Sequence, residues 1–188
     1  MKRLLLFSFL IVGLFYTGCS DNSTIVNPTN SELTQKGVQQ TAPTLIKLPI
    51  TSLDKRKKAK SKIDGAKGGI IKIKGELKNG IEFEGRLVIP AGAFKGTKNI
   101  TIKLDKKYAG FDFGPDNTSF DMPLIFTAKI EGLNLEGVNP DNLQFGFVDK
   151  SGNFEPVVYE KVKIDVKDGK LKVKKAQLNH FSRYNWVK

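Results

Sequence analysis

Apolar and polar residues alternate with a period of two along much of the second half of the chain. Ile71 and Ile73 alternate with Lys72 and Lys74, and Ile81 and Phe83 with Glu82 and Glu84, after which Leu87 and Ile89 carry the run to Pro90. Ile100, Ile102 and Leu104 alternate with Thr101 and Lys103, and the pattern returns at Leu143, Phe145 and Phe147 and at Val162, Ile164 and Val166. Such alternation predicts strands with one buried and one wet face. Turn residues fall between the runs. Asn79-Gly80 and Asp168-Gly169 tolerate the positive φ of tight hairpins, while Pro90-Ala91-Gly92-Ala93 and Phe113-Gly114-Pro115-Asp116 mark longer turns. No helical period extends beyond a turn near Ala91 to Phe94. The expected fold is all-β, an antiparallel β-sandwich over residues 63–188.

The first third reads differently. From Leu4 to Tyr16 an apolar run broken only by Ser8 and Gly13 follows the charges of Lys2 and Arg3, the order of a signal peptide. It is shorter than the roughly 20 residues of a bilayer span. From residue 19 to residue 62 the chain is rich in Ser, Thr, Asn, Gln and Pro, with scattered apolar residues such as Leu45, Ile46 and Leu48 and no sustained period. Too little apolar surface is present to offset the entropy of ordering, so this stretch reads as a flexible tether. About 40 such residues have a root-mean-square span of roughly 35 Å.

Length and composition allow one core in a chain of 188 residues. The single cysteine, Cys19, follows Thr17-Gly18 at the end of the apolar run. This resembles the lipobox of bacterial lipoproteins, in which a small residue precedes a cysteine that is lipidated and becomes the first residue after cleavage. Tyr16 departs from the aliphatic residue usual there. The resemblance implies that residues 1–18 are a lipoprotein signal peptide, that Cys19 carries the lipid, and that the protein is tethered to a membrane of the bacterial cell envelope. The alternative is an ordinary signal peptide cut nearby, leaving a free thiol. No intrachain disulfide can form in either case, so burial alone must hold the domain.

The net charge of +12 is unevenly spread. Lys55, Arg56, Lys57, Lys58, Lys60 and Lys62 cluster just before the expected domain and form a candidate anion-binding site for anionic lipid, lipopolysaccharide or acidic glycan. No aromatic residue is interleaved with them, so nucleic acid is not an expected partner. The plainer reading is a solvated linker.

Within the domain, Gly68-Gly69-Ile70, Val88-Ile89-Pro90-Ala91-Gly92-Ala93-Phe94, Ile100-Thr101-Ile102, Phe113-Gly114-Pro115 and Phe120-Asp121-Met122-Pro123-Leu124 follow one another in that order. Together with the closing His180-Phe181-Ser182-Arg183-Tyr184 they resemble the ZU5 domain known from ankyrins, netrin receptors and the death-domain protein PIDD, and its bacterial relatives. The resemblance covers about 120 residues. It implies a β-sandwich and a role in protein interactions. It also implies a candidate self-cleavage site, because PIDD-type relatives are cut within a His-Phe-Ser sequence without a protease. The hydroxyl of Ser182 would attack the carbonyl of Phe181 to give an ester, His180 would assist proton transfer to the departing nitrogen, and water would open the ester. Arg183 departs from the aromatic residue that follows the motif in those relatives. Residues 180 and 182 are expected on one face of a terminal strand with Leu178, Tyr184 and Trp186.

Other chemistry is poorly supported. His180 is the only histidine, and no phosphate-binding glycine loop, HExxH or zinc-spaced Cys/His cluster occurs. Asp149, Ser151 and Asn153 have calcium-loop spacing, but Phe154 stands where such a loop needs glycine, so a hairpin turn is expected instead. No cofactor or metal is implied. The expected function is that of a structural or protein-interaction module, not an enzyme, whose partner is an envelope protein or polymer. The rivals are a self-processing module cutting at Phe181-Ser182 and an anion-binding tether.

Overall fold

The computed structural model describes residues 44–49, 57–116 and 118–188. These residues form an antiparallel β-sandwich of eleven strands. In chain order the strands are β1 (Lys58–Asp64), β2 (Gly69–Glu76), β3 (Glu82–Ile89), β4 (Thr97–Leu104), β5 (Gly110–Gly114) and β6 (Ser119–Glu131). Then come β7 (Gln144–Val148), β8 (Phe154–Pro156), β9 (Lys161–Asp165), β10 (Lys170–His180) and β11 (Arg183–Val187). Sheet I has the order β1-β4-β5-β11-β7-β8, and sheet II the order β2-β3-β6-β10-β9.

The period-two pattern decides what is buried. Ile71 and Ile73 on β2, Phe83 and Leu87 on β3, and Phe126, Ala128 and Ile130 on β6 turn inward from sheet II. Ile100 and Ile102 on β4, Phe111 and Phe113 on β5, Phe145 on β7 and Tyr184 and Trp186 on β11 meet them from sheet I. Phe126 sits edge-on to two rings of the opposite sheet, 5.2 Å from Phe111 and 4.8 Å from Phe113 between centroids. Each such pair contributes roughly 0.5–1.5 kcal/mol beyond its buried area. Asn79-Gly80 and Asp168-Gly169 close the β2–β3 and β9–β10 hairpins, with φ of 78° at Gly80 and 59° at Gly169.

Four of the segments quoted for the ZU5 resemblance, those of Phe94, Phe113, Phe120 and Phe181, meet one another. The Gly92 N–H donates to the Gly65 carbonyl at 2.7 Å, and the Asp121 N–H donates to the Ala93 carbonyl at 2.9 Å. A Cβ on Gly65 would lie 1.9 Å from the Phe94 carbonyl oxygen, so only glycine permits that approach. Phe94, Phe120, Phe181 and Phe113 then form a chain of ring contacts with centroid separations of 6.3, 4.7 and 6.5 Å.

Two expectations about the domain's start need correction. The boundary placed between residues 62 and 63 falls inside β1, which begins at Lys58 and pairs with β4 along its whole length. The segment around Leu45, Ile46 and Leu48 is also part of the folded unit. The Ile46 N–H donates to the Trp186 carbonyl at 3.2 Å, the Ala109 N–H donates to the Ile46 carbonyl at 2.7 Å, and both Ile46 and Leu48 are buried. A few apolar residues suffice here because the ends of β11 and the loop before β5 offer them backbone partners. Residues 1–43 and 50–56, which include Cys19, Lys55 and Arg56, lie outside the described residues.

Candidate functional site

Three places carry the charged and reactive side chains: the crossover that holds His180, Phe181 and Ser182, the outer face of β1, and the outer face of sheet II.

The crossover differs from its expectation. β10 belongs to sheet II and ends at His180, whereas β11 belongs to sheet I and starts at Arg183. Phe181 and Ser182 therefore form a bend between sheets, and residues 178 to 186 do not share one strand face. Leu178 is buried from one sheet, Tyr184 and Trp186 from the other. The bend is held by its backbone: the Phe181 N–H donates to the Thr118 carbonyl and the Phe113 N–H donates to the Ser182 carbonyl, both at 2.9 Å. The His180 ring stands edge-on to Phe147, 4.7 Å away between centroids, and 5.8 Å from Tyr184. Among the described residues no hydrogen bond joins His180 to Ser182.

Ser182 opens onto a cleft of about 520 Å³ that also takes in Asp112, Asp116, Asp149 and Arg183. Burial and the nearby Asp105 push the Asp112 carboxyl above its ordinary range, although Arg183 and Lys103 act in the opposite direction. The Arg183 guanidinium donates to the Asp149 carbonyl at 3.0 Å, and its buried Nε has no partner among the described residues. Asp149 closes the β7–β8 hairpin as the sequence led us to expect, its carboxylate accepting from the Asn153 backbone and side chain at 2.8 and 2.7 Å.

On β1, Ala59, Ser61 and Ile63 turn toward the core side while Lys58, Lys60 and Lys62 are exposed. Registered pairs in antiparallel strands project to the same face. Lys58 is paired with Lys103 on β4, Lys60 with Thr101 and Lys62 with Asn99. Four lysines thus share one outer patch of sheet I, those on β1 spaced by about 7 Å. Lys57 precedes the strand, half-buried, and its carbonyl accepts the Leu104 N–H at 3.2 Å.

The third place was not singled out from the sequence. On the outer face of sheet II, Lys72 lies opposite Arg86, Arg86 opposite Thr127, and Lys172 between Lys129 and Lys163. Ion pairs tie Lys129 and Lys170 to Glu131 at 2.7 and 2.9 Å, and Lys174 and Lys175 to Glu160. Those two lysines hold the Glu160 carboxyl well below its usual range, to about 2, chiefly by hydrogen bonding from Lys174 and then from Lys175. The register of β10 shifts between Val173 and Ala176, and Lys175 takes a left-handed φ of 54° with its N–H donating to Thr127 Oγ1 at 3.1 Å. The signal that could have revealed this bulge is the doubled lysine, which breaks the alternation of Lys170-Leu171-Lys172-Val173.

Among the described residues no cluster of His, Cys, Asp and Glu could hold a metal ion, and no helix is long and apolar enough to cross a membrane. No family model, curated protein or solved structure matches the chain.

Proposed function

We propose that the chain is a lipid-anchored protein of the bacterial cell envelope whose ZU5-like β-sandwich serves as an interaction module, held against an anionic surface by charge. The anchor in this reading is Cys19, and the observation that carries the electrostatic contact is the patch of exposed Lys58, Lys60 and Lys62 beside the half-buried Lys103. β1 is an edge strand of sheet I, so this patch has room to meet a surface without disturbing the core. Each lysine near an anionic membrane contributes about 1 kcal/mol, a term that fades within a Debye length and with added salt. The test is sedimentation of the Cys19→Ser chain with vesicles of phosphatidylcholine alone or containing phosphatidylglycerol. Binding should require the anionic lipid, weaken steeply with salt and fall about ten-fold or more when Lys58, Lys60 and Lys62 are replaced by glutamine. Equal binding by that variant would reduce the patch to a protected sheet edge, since lysines also discourage edge-to-edge pairing.

A second reading, self-processing at Phe181-Ser182, is favoured by one observation: the bond lies in a bend bordering an open cleft, not within a paired strand.

A further inference from the structure

The face of the sandwich opposite the β1 patch carries more positive charge than its own acids neutralise. Glu84, Glu131 and Glu160 engage Lys129, Lys170, Lys174 and Lys175, while Lys72, Lys74, Arg86, Lys161, Lys163 and Lys172 have no ion-pair partner among the described residues and outnumber the similarly unpaired Glu76, Glu82 and Asp165. Isolated cations on a flat wet face would be unremarked, but here the surface is hollowed. Two clefts of about 360 and 500 Å³ adjoin and share Arg86, Thr127 and Lys172 in their walls. The second is floored by Val88 and Ile125, a registered pair on β3 and β6, with the half-exposed Ile70 next to Val88 on β2. The cations therefore stand along a trough whose floor is partly apolar.

We infer that this trough binds a linear acidic glycan, with Arg86 and Lys172 gripping its carboxylates or sulfates and the Val88–Ile125 floor taking the C–H faces of its sugar rings. Three features select this occupant. The arginine fork fits a planar carboxylate or a sulfate in bidentate fashion. From Lys72 on β2 to Lys172 on β10 the cations cross three strand spacings, about 14 Å, the reach of a short run of sugars and far longer than a single anion. The hollow shape suits a chain that lies down in it better than a planar lipid surface. No phenylalanine, tyrosine or tryptophan lines either cleft, so the stacking that would hold single-stranded nucleic acid is missing from their walls. The bulge at Lys174-Lys175 places two further lysines on the rim, beside Thr127. They are held by Glu160 and available to a competing polyanion.

The experiment is calorimetric titration of the full chain, kept in a non-ionic detergent, with hexagalacturonate, the matching neutral glucose oligomer, polyglutamate and phosphatidylglycerol micelles. Hexagalacturonate should bind in low salt and the neutral oligomer should not. Affinity should fall about ten-fold or more in Arg86→Gln/Lys172→Gln. The charge-matched control Lys95→Gln/Lys106→Gln, at loop positions that line neither cleft, should remain within about two-fold, because only the general field changes. The melting temperature of each variant confirms that these exposed changes leave the fold intact. The inference is overturned if hexagalacturonate fails to bind, if the trough variant binds it as wild type does, or if polyglutamate or the micelles bind equally well and lose as much in that variant. Vesicle binding through Lys58, Lys60 and Lys62 is measured separately, so either result can fail without the other.

Discussion

The phenol hydroxyl of Tyr184 donates a hydrogen bond to the backbone carbonyl of His180 at 2.9 Å, across the bend where the chain leaves sheet II for sheet I. A side chain from the second residue of the new strand thus fastens the last residue of the old one. A similar device, a tyrosine reaching back to backbone a few residues upstream, secures strand corners in other sandwiches. Removing the hydroxyl with Tyr184→Phe should lower stability by about 1 kcal/mol, measured as a shift in denaturant midpoint at constant slope.

The same tyrosine makes stability depend on alkaline pH. Burial pushes its phenol well above the ordinary value, the Glu155 carboxylate acts in the same direction, and loss of the proton would forfeit the bond to the His180 carbonyl. Above pH ~10 the unfolded chain loses this proton and the folded chain keeps it, so the stabilisation is complete below that pH and declines above it, by up to ~1.4 kcal/mol per pH unit. Melting curves between neutral and strongly alkaline pH should show a shallower alkaline decline in Tyr184→Phe than in the wild type.

Ile46 and Leu48 anchor a segment whose composition resembles a tether. Because both are buried against the main core, Ile46→Ala or Leu48→Ala should destabilise the domain by roughly 2–5 kcal/mol, as for other large-to-small core changes. Chemical denaturation of the two variants measures this. Losses within about 0.5 kcal/mol, the usual range for exposed sites, would show that the segment is only loosely attached.

For Phe181-Ser182, denaturing mass spectrometry of freshly purified and long-incubated protein distinguishes the two readings. Self-processing requires a C-terminal fragment beginning at Ser182 that is absent from Ser182→Ala. A single intact mass throughout, in both proteins, leaves the bend as a purely structural crossover.

The legibility of the fold follows from where the signal is local. β2, β3 and β4 alternate cleanly, and their hairpin glycines were readable because positive φ is a property of one residue. β1 alternates as well, but of its inward residues Ala59, Ser61 and Ile63 only the last is large enough to give a hydrophobic signal, and its lysines drew attention instead. β5 was hidden behind Gly114-Pro115, which read as a turn although Phe111 and Phe113 precede it in strand spacing. The crossover at Phe181-Ser182 was not legible, since leaving one sheet for another is a fact of tertiary pairing and not of period. The cationic trough was missed for a similar reason: Arg86, Lys172 and Lys72 are far apart in sequence, and only register brings them together.

Glu160 offers a test of the trough by gain instead of loss. Replacing it with glutamine removes the acid that holds Lys174 and Lys175. Hexagalacturonate affinity in low salt should then rise by about two- to five-fold, the effect of releasing one charge near a polyanion. Unchanged or weaker binding would separate those lysines from the glycan site.

The most direct measurement of the central claim, that this module works from a lipid anchor at a membrane, is metabolic labelling with a fatty-acid analogue followed by membrane fractionation, comparing wild type with Cys19→Ser. Two or more acyl chains hold a protein far more firmly than one chain or a basic patch alone. The wild type should carry the label and sediment with membranes at high salt, and Cys19→Ser should carry none and be released. Equal labelling and equal membrane retention of the two proteins would contradict the account.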